Sequence, residues 1–386
     1  MRRNRLIWLI VWIISLIVIS FFGGPVSYGF FAVVTLIPVV ASLYLLLVYI
    51  LFHIYQRIDS KWIAANQTIP FYLTLVNDYY FVFSGIKIKF YSSFSNISGV
   101  DEEVEYELFP NTGITKETSL VCKYRGEYEV GIKNVIIQDF FRLFRVTYHN
   151  REPLRVTVRP QLVHIESLKS VDLNASLKEI ETKSSELDVL VRGYVPGDDI
   201  RQVHWGITAK SGELMIRKRI GEEQQGVGII MSTHRCSKDQ FSYLPVENKI
   251  LETVLAVALY FIKSGIPVTH FHHAKELEMK SLVRLEQFDE YYNYVSDVAF
   301  DEERKDDLLF LEAAQNQSLL EYKAIFIIVH EWNELAAQMI DILSKNNVYT
   351  VVYIVSENVD KELLSHKLPG VDIVNILPEE DLMEVL

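Results

Sequence analysis

Cysteine is scarce in this chain of 386 residues, which contains only two, Cys122 and Cys236. They lie far apart in the sequence, whereas a disulfide framework of the kind that stabilises small secreted domains needs several closely spaced pairs. The composition therefore favours a reducing compartment.

Acidic residues are missing from the start of the chain, where the first of the 50 is Asp59. Only four of the 38 Lys and Arg residues precede position 58, so the remainder carries 34 basic against 50 acidic residues, a net charge of −16. A strongly acidic soluble part is a poor ligand for nucleic acid or for anionic lipid. The sequence therefore predicts no nucleic-acid partner.

Two long runs near the start lack any formal charge, Leu6–Phe22 and Tyr28–Ile54, and a Gly- and Pro-containing turn at residues 23–27 joins them. A hydrocarbon core of about 30 Å needs roughly 20 helical residues, so each run is long enough to cross a membrane. Residues 1–57 are therefore predicted to form two transmembrane helices. The alternative is a signal peptide followed by a buried core helix. No convincing small-residue cleavage site is present, and the second run is long for a core helix.

Basic residues flank this hairpin on one side only. Arg2, Arg3 and Arg5 precede the first run, Arg57 and Lys61 follow the second, and the joining turn has none. Because basic flanks stay on the cytoplasmic side, both ends of the hairpin are expected inside. The sequence thus predicts a multi-pass cell-membrane protein with cytoplasmic soluble domains.

Residues 58–160 consist of short runs in which apolar and polar residues alternate, the pattern of half-buried strands. Turn residues separate the runs, so a small antiparallel β-sandwich-like domain is expected. The runs are Phe71–Asn77, Ile86–Tyr91, Val104–Phe109, Tyr128–Asp139 and Leu154–Pro160.

Residues 161–225 are interpreted as a linker followed by a signature segment with an unusual mixture of side chains. Its candidate residues are Gly197, Asp198, Asp199, Arg201, His204 and Trp205. One interpretation makes Asp198 and His204 an acid–base pair, or else makes Arg201 an anion ligand. The other makes the segment a structural clasp, in which Asp198 pairs with Arg201 and Trp205 fills a core. No nucleophile elbow and no metal-ligand spacing occurs in the sequence, so the clasp is favoured and no catalytic residue is assigned.

Residues 226–386 alternate between apolar strands and amphipathic helices. Continuous apolar strands separated by helices are typical of a parallel sheet covered on both faces, so a doubly wound α/β domain is expected. The segments are Gly226–Met231, Glu247–Ser264, Val268–His273, Phe288–Tyr322, Ala324–His330, Trp332–Lys345, Val348–Val355, Lys361–Lys367 and Val371–Leu377.

The signature string GDDIRQVHW, residues 197–205, resembles that of a bacterial family, domain of unknown function 58. Tyr124–Gly131 and Gln138–Arg145 are similar to the upstream pattern of this family, which contains an Asp-Pro-Phe-Gly-Leu-Phe turn. Here Phe140 and Arg142 replace the Pro and Gly. The resemblance implies a C-terminal domain like the von Willebrand factor type A fold. It also implies a membrane-anchored scaffold or adaptor with no settled activity, whose partners are a MoxR-type AAA ATPase and a transglutaminase-like membrane protein. The alternative is a hydrolytic or anion-binding enzyme centred on the signature.

In that fold, a metal site requires Asp-x-Ser-x-Ser directly after the first strand, because a carboxylate and two hydroxyls suit a divalent cation. The same place here reads Met231-Ser232-Thr233-His234-Arg235. The carboxylate is lost and a cation is gained, so a degenerate site without magnesium, and no cofactor, is expected.

One further pair of histidines lies on a predicted strand of the C-terminal domain. His270 and His272 are two residues apart, so they share a face of that strand. A third ligand is missing nearby in the sequence. Whether the pair binds anything stays open.

Overall fold

The computed structural model describes residues 2–99, 104–168, 189–193, 205–219, 226–274, 276–303, 306–315, 319–320, 322–346, 348–357 and 370–386. The chain divides into two compact units, Met1–Gln161 and Leu162–Leu386.

The first unit begins with two helices, α1 (Arg2–Phe22) and α2 (Pro25–Leu51). Both are long and apolar enough to cross a membrane. Gly23 reverses the chain between them with a positive φ of 44°, a conformation that favours glycine. The indole nitrogen of Trp12 donates to the Thr35 hydroxyl at 3.1 Å, which joins the two helices along their length.

Eleven strands follow the helices among the residues of this unit that the structure describes. They are β1 (His53–Ile58), β2 (Trp62–Ala64), β3 (Thr68–Asn77), β4 (Phe83–Phe90), β5 (Ser95–Ser98), β6 (Tyr106–Leu108), β7 (Thr112–Cys122), β8 (Gly126–Val130), β9 (Ile132–Gln138), β10 (Arg145–His149) and β11 (Leu154–Arg159). The strand orders are β1-β3-β7-β5, β10-β9-β4-β6 and β2-β11-β8. The sheet-rich domain is therefore confirmed. It is mixed rather than wholly antiparallel, because β2 pairs with β11 in parallel.

The end of α2 is built into the β domain. Leu45 and Val48 are buried in the same apolar cluster as strand residues such as Phe83, and Val48 is 0% exposed. The Tyr44 hydroxyl donates to the carbonyl of Val82 at 3.0 Å. One residue, Phe52, separates α2 from β1. The helix therefore begins three residues before the uncharged run Tyr28–Ile54 and ends three residues before the end of that run.

A tight turn after β9 is organised by the buried carboxylate of Asp139, which is 2% exposed. This carboxylate accepts the backbone N–H groups of Phe141 at 3.2 Å and Phe144 at 2.7 Å. Arg142, at the position where the family pattern has Gly, adopts a positive φ of 54°. The turn therefore forms although Pro and Gly are both replaced, because one carboxylate satisfies two of its amides.

This turn also contacts the start of α1. The Arg5 guanidinium donates through Nε to the carbonyl of Leu143 at 2.6 Å. The Asn4 side chain donates to the carbonyl of Phe141 at 3.0 Å. The N-terminal end of α1 and the C-terminal end of α2 thus both contact the β domain.

The elements of the second unit are β12 (Val189–Gly193), α3 (Trp205–Ser211), β13 (Met215–Arg219), β14 (Val227–Met231), α4 (Gln240–Lys263), β15 (Val268–His273), β16 (Leu277–Leu282), α5 (Phe288–Ser296), α6 (Asp306–Gln315), β17 (Ala324–Val329), α7 (Glu334–Lys345), β18 (Tyr349–Val355), β19 (Val371–Ile376) and α8 (Leu382–Val385). Within the predicted helical region of residues 288–322, the described residues form α5 and α6 rather than one continuous helix. The predicted helix Lys361–Lys367 lies outside the described residues.

Six strands of this unit form one sheet in the order β16-β15-β14-β17-β18-β19. All neighbours are parallel except β15 and β16, which are antiparallel. Apolar clusters cover both faces. Ile229 packs with residues of α4 such as Val254, and Ile230 packs with residues of α7 such as Met339. The second unit therefore has the expected α/β architecture with a mainly parallel sheet.

Residues 162–168, which the sequence assigns to a linker, contribute to the core of the second unit. Leu168 is buried there, and Leu162 and Val163 pack against the same cluster as α4. This segment is therefore part of the packed unit.

Candidate functional site

The carboxyl ends of the central strands form the natural binding edge of this sheet. Strand order reverses between β14 and β17, and open α/β sheets bind ligands in the crevice outside such a switch point. Residues 232–235 follow β14, and residues 330 and 331 follow β17. The side chains of these two short segments define the candidate site.

The turn after β14 is fixed mainly by backbone and hydroxyl hydrogen bonds. The Ser232 N–H donates to the carbonyl of Ile328 at 2.9 Å. The buried Thr233 hydroxyl donates to the carbonyl of His273 at 2.9 Å. Met231 is fully buried in the apolar core beneath the turn. Both hydroxyl residues thus take part in the packing of the strand ends, and Met231 offers no oxygen ligand. The absence of a magnesium site at this turn stays a prediction.

Arg235 closes the turn and is turned toward helix α4. Its Nε lies 2.7 Å from Oε1 of Glu247, whose side chain is buried. Its guanidinium also lies 4.0 Å from the ring centroid of Tyr243, a cation–π contact. The charge of Arg235 is therefore balanced within the unit by Glu247.

A cluster of three metal-ligating side chains lies at the switch point itself. One ligand atom each from His234, His330 and Glu331 lies within 4.8 Å of the other two. The two imidazole rings have centroids 5.3 Å apart. Within the described ranges, no other group of three His, Cys, Asp or Glu side chains has this geometry. Sequence reasoning did not identify this cluster, because its members belong to two different strand ends.

A loop from the α5–α6 region positions His234. His234 forms an isolated parallel β-bridge with Asp301, and its Nδ1 lies 3.3 Å from the carbonyl oxygen of Glu303. The Asp301 N–H donates to the carbonyl of Thr233 at 3.0 Å, and the Arg235 N–H donates to the carbonyl of Asp301 at 2.7 Å. The backbone at His234 is thus held from both sides.

The other histidine pair is buried in the core. The rings of His270 and His272 lie 5.2 Å apart, so the expected shared face is observed. His270 is 0% exposed and packs beside Tyr291 and Tyr294. Burial, and secondarily the neighbouring His272, hold the pKa of His270 well below its usual range. These features describe a neutral core histidine rather than an accessible ligand.

The signature segment is described only at its ends. Gly197, Asp198, Asp199, Arg201 and His204 lie outside the described residues, so their predicted roles are not tested. β12 and β13 bracket the segment as an antiparallel pair. Trp205 begins α3 and is 67% exposed, which does not support the prediction that it fills a core; that role stays a prediction, because residues 194–204 lie outside the described ranges. The described surroundings of Trp205 leave most of its indole accessible to solvent.

The class that these features define is an α/β protein with two candidate membrane helices and a sheet-rich domain. A family model described as "Protein of unknown function DUF58" matches residues 190–272. The match includes the signature, β14, the turn after it and most of β15. The resemblance to this family is therefore confirmed over that part of the chain.

Curated proteins and solved structures identify no further family and no shared fold. No curated protein matches. Trypsin-activated alpha-2-macroglobulin from Escherichia coli is 10% identical with a TM-score of 0.22, and the match covers 76% of this chain and 20% of that one. A GH20 exo-β-N-acetylglucosaminidase from Vibrio harveyi is 8% identical with a TM-score of 0.16, covering 79% of this chain and 57% of that one. The chain thus spans less than two thirds of either protein, and such low TM-scores define no shared fold.

Proposed function

We propose that this protein is a membrane-anchored scaffold or adaptor that presents its soluble units at the cytoplasmic face. The observation that carries the proposal is the direct attachment of the helical hairpin to the β domain. Arg5 of α1 and Tyr44 of α2 both bond to backbone carbonyls of that domain. Because the helical hairpin is hydrogen-bonded directly to the β domain, the anchor would hold that domain at a fixed position next to the membrane. This arrangement supports a role in presenting the domain to a partner.

The lengths of the remaining helical segments support a membrane hairpin. If Tyr44 marks the boundary of the β domain, Pro25–Leu43 is left and spans about 28 Å at the helical rise. Beyond Arg5, Leu6–Phe22 spans about 26 Å. Both lengths suit a hydrocarbon core of about 30 Å. The basic residues at the β-domain end favour a cytoplasmic location for that end.

The second unit supplies the binding part of the proposal. Its parallel order, with one antiparallel edge strand, supports the inference that it is like the von Willebrand factor type A fold. The crevice at the switch point is the surface on which a partner would dock. From the family resemblance, we infer that this partner is a MoxR-type AAA ATPase, with a transglutaminase-like membrane protein in the same assembly. The alternative enzyme centre lies in residues that the structure does not describe, so no structural observation favours it.

The test is purification of the full-length protein from native membranes, with mass spectrometry of the retained proteins. A variant in which the exposed Glu331 is changed to Arg alters the crevice, and Glu152→Arg in the first unit serves as a matched charge control. We expect an AAA ATPase to be retained by the wild type and the control and to be lost from the crevice variant. Equal retention by all three would contradict docking at the crevice. Absence of any ATPase would contradict the proposed partner.

A further inference from the structure

The cluster of His234, His330 and Glu331 has the ligand chemistry of a zinc-type site. Zinc is bound by imidazole nitrogens and carboxylate oxygens, and two histidines with one glutamate are a known ligand set that leaves a fourth position open. Hard cations such as magnesium instead require oxygen ligands, of which this cluster supplies only the Glu331 carboxylate. We propose that these three side chains bind a divalent transition-metal ion of the zinc type.

The spacing of the three side chains suits this ion. Ligand atoms about 2.0–2.2 Å from a tetrahedral zinc lie about 3.4 Å from one another. The three candidate ligand atoms already lie within 4.8 Å of one another. Glu331 is exposed, and a change of side-chain rotamer brings its carboxylate toward the two imidazoles.

The backbone that carries the ligands is held by the fold. β14 and β17 are paired in parallel register, with Met231 opposite Ile328, which fixes where the two strand ends emerge. His234 is further held by its bridge to Asp301. A metal site on the ends of rigid strands loses little entropy when the ion binds.

Local charge also favours a cation at this position. Arg235, the nearest cation in sequence, is directed to Glu247 at 2.7 Å and is thus balanced. Two exposed acidic residues, Asp301 and Glu303, lie on the loop that contacts His234, while Glu302 between them is paired with Lys238 at 3.4 Å. Their negative potential raises the local concentration of cations.

This site differs in chemistry from the oxygen-ligand site that the family pattern predicts to be degenerate at the same turn. The Asp-x-Ser-x-Ser pattern supplies oxygen ligands from its first, third and fifth positions. Here the ligand comes from His234, the fourth position, together with two residues after β17. The proposal is independent of the adaptor role, since metal binding does not require a partner.

The experiment uses full-length protein in detergent, purified through a histidine-free tag and stripped of metal with a chelator. Zinc binding is measured by competition with a chromophoric chelator, and cobalt is substituted to give a visible absorption spectrum. We expect one Zn²⁺ per chain with micromolar or tighter affinity, a cobalt spectrum typical of mixed nitrogen and oxygen ligation, and no competition by Mg²⁺.

The variants locate the site. His234→Ala, His330→Ala and Glu331→Gln should each weaken zinc binding by about tenfold or more. Removing a residue that only hydrogen-bonds to a metal ligand already lowers metal affinity by about this factor. His149→Ala, at an exposed histidine of the first unit, should leave binding unchanged. Glu331→Gln alters an exposed side chain, so it keeps the test valid if a histidine variant fails to fold. Failure of the wild type to bind zinc, or unchanged affinity in Glu331→Gln and His234→Ala, would overturn the proposal.

Discussion

The buried His270 should make the second unit sensitive to mild acid. Its ring is 0% exposed, and neither ring nitrogen has a hydrogen-bond partner among the residues that the structure describes. The groups that face it are His272 and the rings of Tyr291 and Tyr294, while Lys280 is its register partner on β16. Burial first, and then His272, lower the pKa of His270 well below its usual range.

The sign of the effect follows from this lowered pKa. In the unfolded chain, a histidine takes up a proton near pH 6.5, whereas folded His270 stays neutral. Below that pH the unfolded state binds more protons, so the free energy of unfolding falls as the pH falls. For a folded pKa far below 6.5, the loss between pH 7.5 and 5.5 is about 1.4 kcal/mol. His272, whose pKa is also lowered mainly by burial, adds to it in the same direction.

The first assay is thermal unfolding of the full-length protein in detergent at pH 7.5 and 5.5. The second assay is hydrogen exchange of the amides in β14 and β15, which reports on the second unit alone. A loss of about 1.4 kcal/mol should lower the melting temperature of a unit of this size by about 3–6 °C. His270→Leu replaces the imidazole by an apolar side chain of similar size, so it should remove about that part of the pH dependence. His149→Leu, at an exposed position in the first unit, is the control. An identical pH dependence in wild type and His270→Leu would refute the reasoning.

Three further predictions concern other parts of the chain. In a background without the native cysteines, Val26→Cys, at a side chain that is 84% exposed, should react with an impermeant thiol reagent in intact cells, whereas a cysteine near residue 380 should not; the reverse labelling would contradict the proposed orientation. Trp205→Ala should change the free energy of unfolding by no more than about 0.5 kcal/mol, because the indole is exposed; a drop of several degrees in melting temperature would show that it packs against residues outside the described ranges. Asp139→Ala should destabilise the first unit by about 1–3 kcal/mol, since it leaves the amides of Phe141 and Phe144 without their acceptor. Chemical denaturation monitors this loss, and Asp139→Asn, which keeps one carbonyl oxygen, should retain part of the stability.

Hydropathy and periodicity predicted the architecture where the sequence pattern is dense. The two helices and the buried strands β14, β17 and β18 are continuous apolar runs, and such runs identify elements directly. The end of α2 was placed too late because Phe52, His53 and Ile54 continue the uncharged run. Composition cannot show where a helix becomes a strand when both are apolar.

The longest strand of the first unit, β7, was missed for a different reason. Its sequence, TGITKETSLVC, has few apolar residues, so it shows weak alternation. It is a strand because it pairs with β3 over ten residue pairs, from Thr68↔Val121 to Asn77↔Thr112. This pairing is a tertiary interaction that is not encoded in the local pattern.

The candidate site was partly accessible to sequence reasoning. The family pattern indicates the turn after β14 as the place where a metal site could form. That pattern concerns oxygen ligands, so it does not point to the histidines. His234 and His330 are far apart in sequence, and only the adjacency of β14 and β17 brings them together. The sequence feature that could have indicated the cluster is that His234 and His330 each come shortly after a buried strand of the predicted parallel sheet. For Trp205, an aromatic side chain in a distinctive motif was expected to be buried, whereas 67% of it is exposed in the structure.

If the helical hairpin spans a bilayer as proposed, the junction of α2 and β1 couples the thickness of that bilayer to the orientation of the first unit. Phe52 alone separates helix from strand, and the last turns of α2 are packed inside the β domain, so the helix cannot tilt without carrying that domain with it. A membrane helix that is longer than the local hydrocarbon core tilts, kinks or thickens the bilayer, so a core thinner than the roughly 28 Å spanned by Pro25–Leu43 of α2 favours tilting. Phe140, which is 60% exposed and contacts Tyr44 with ring centroids 4.6 Å apart, would then move with α2 as the tilt changes. In a membrane-spanning hairpin, hydrophobic mismatch is thus converted into a change in the orientation of the β domain.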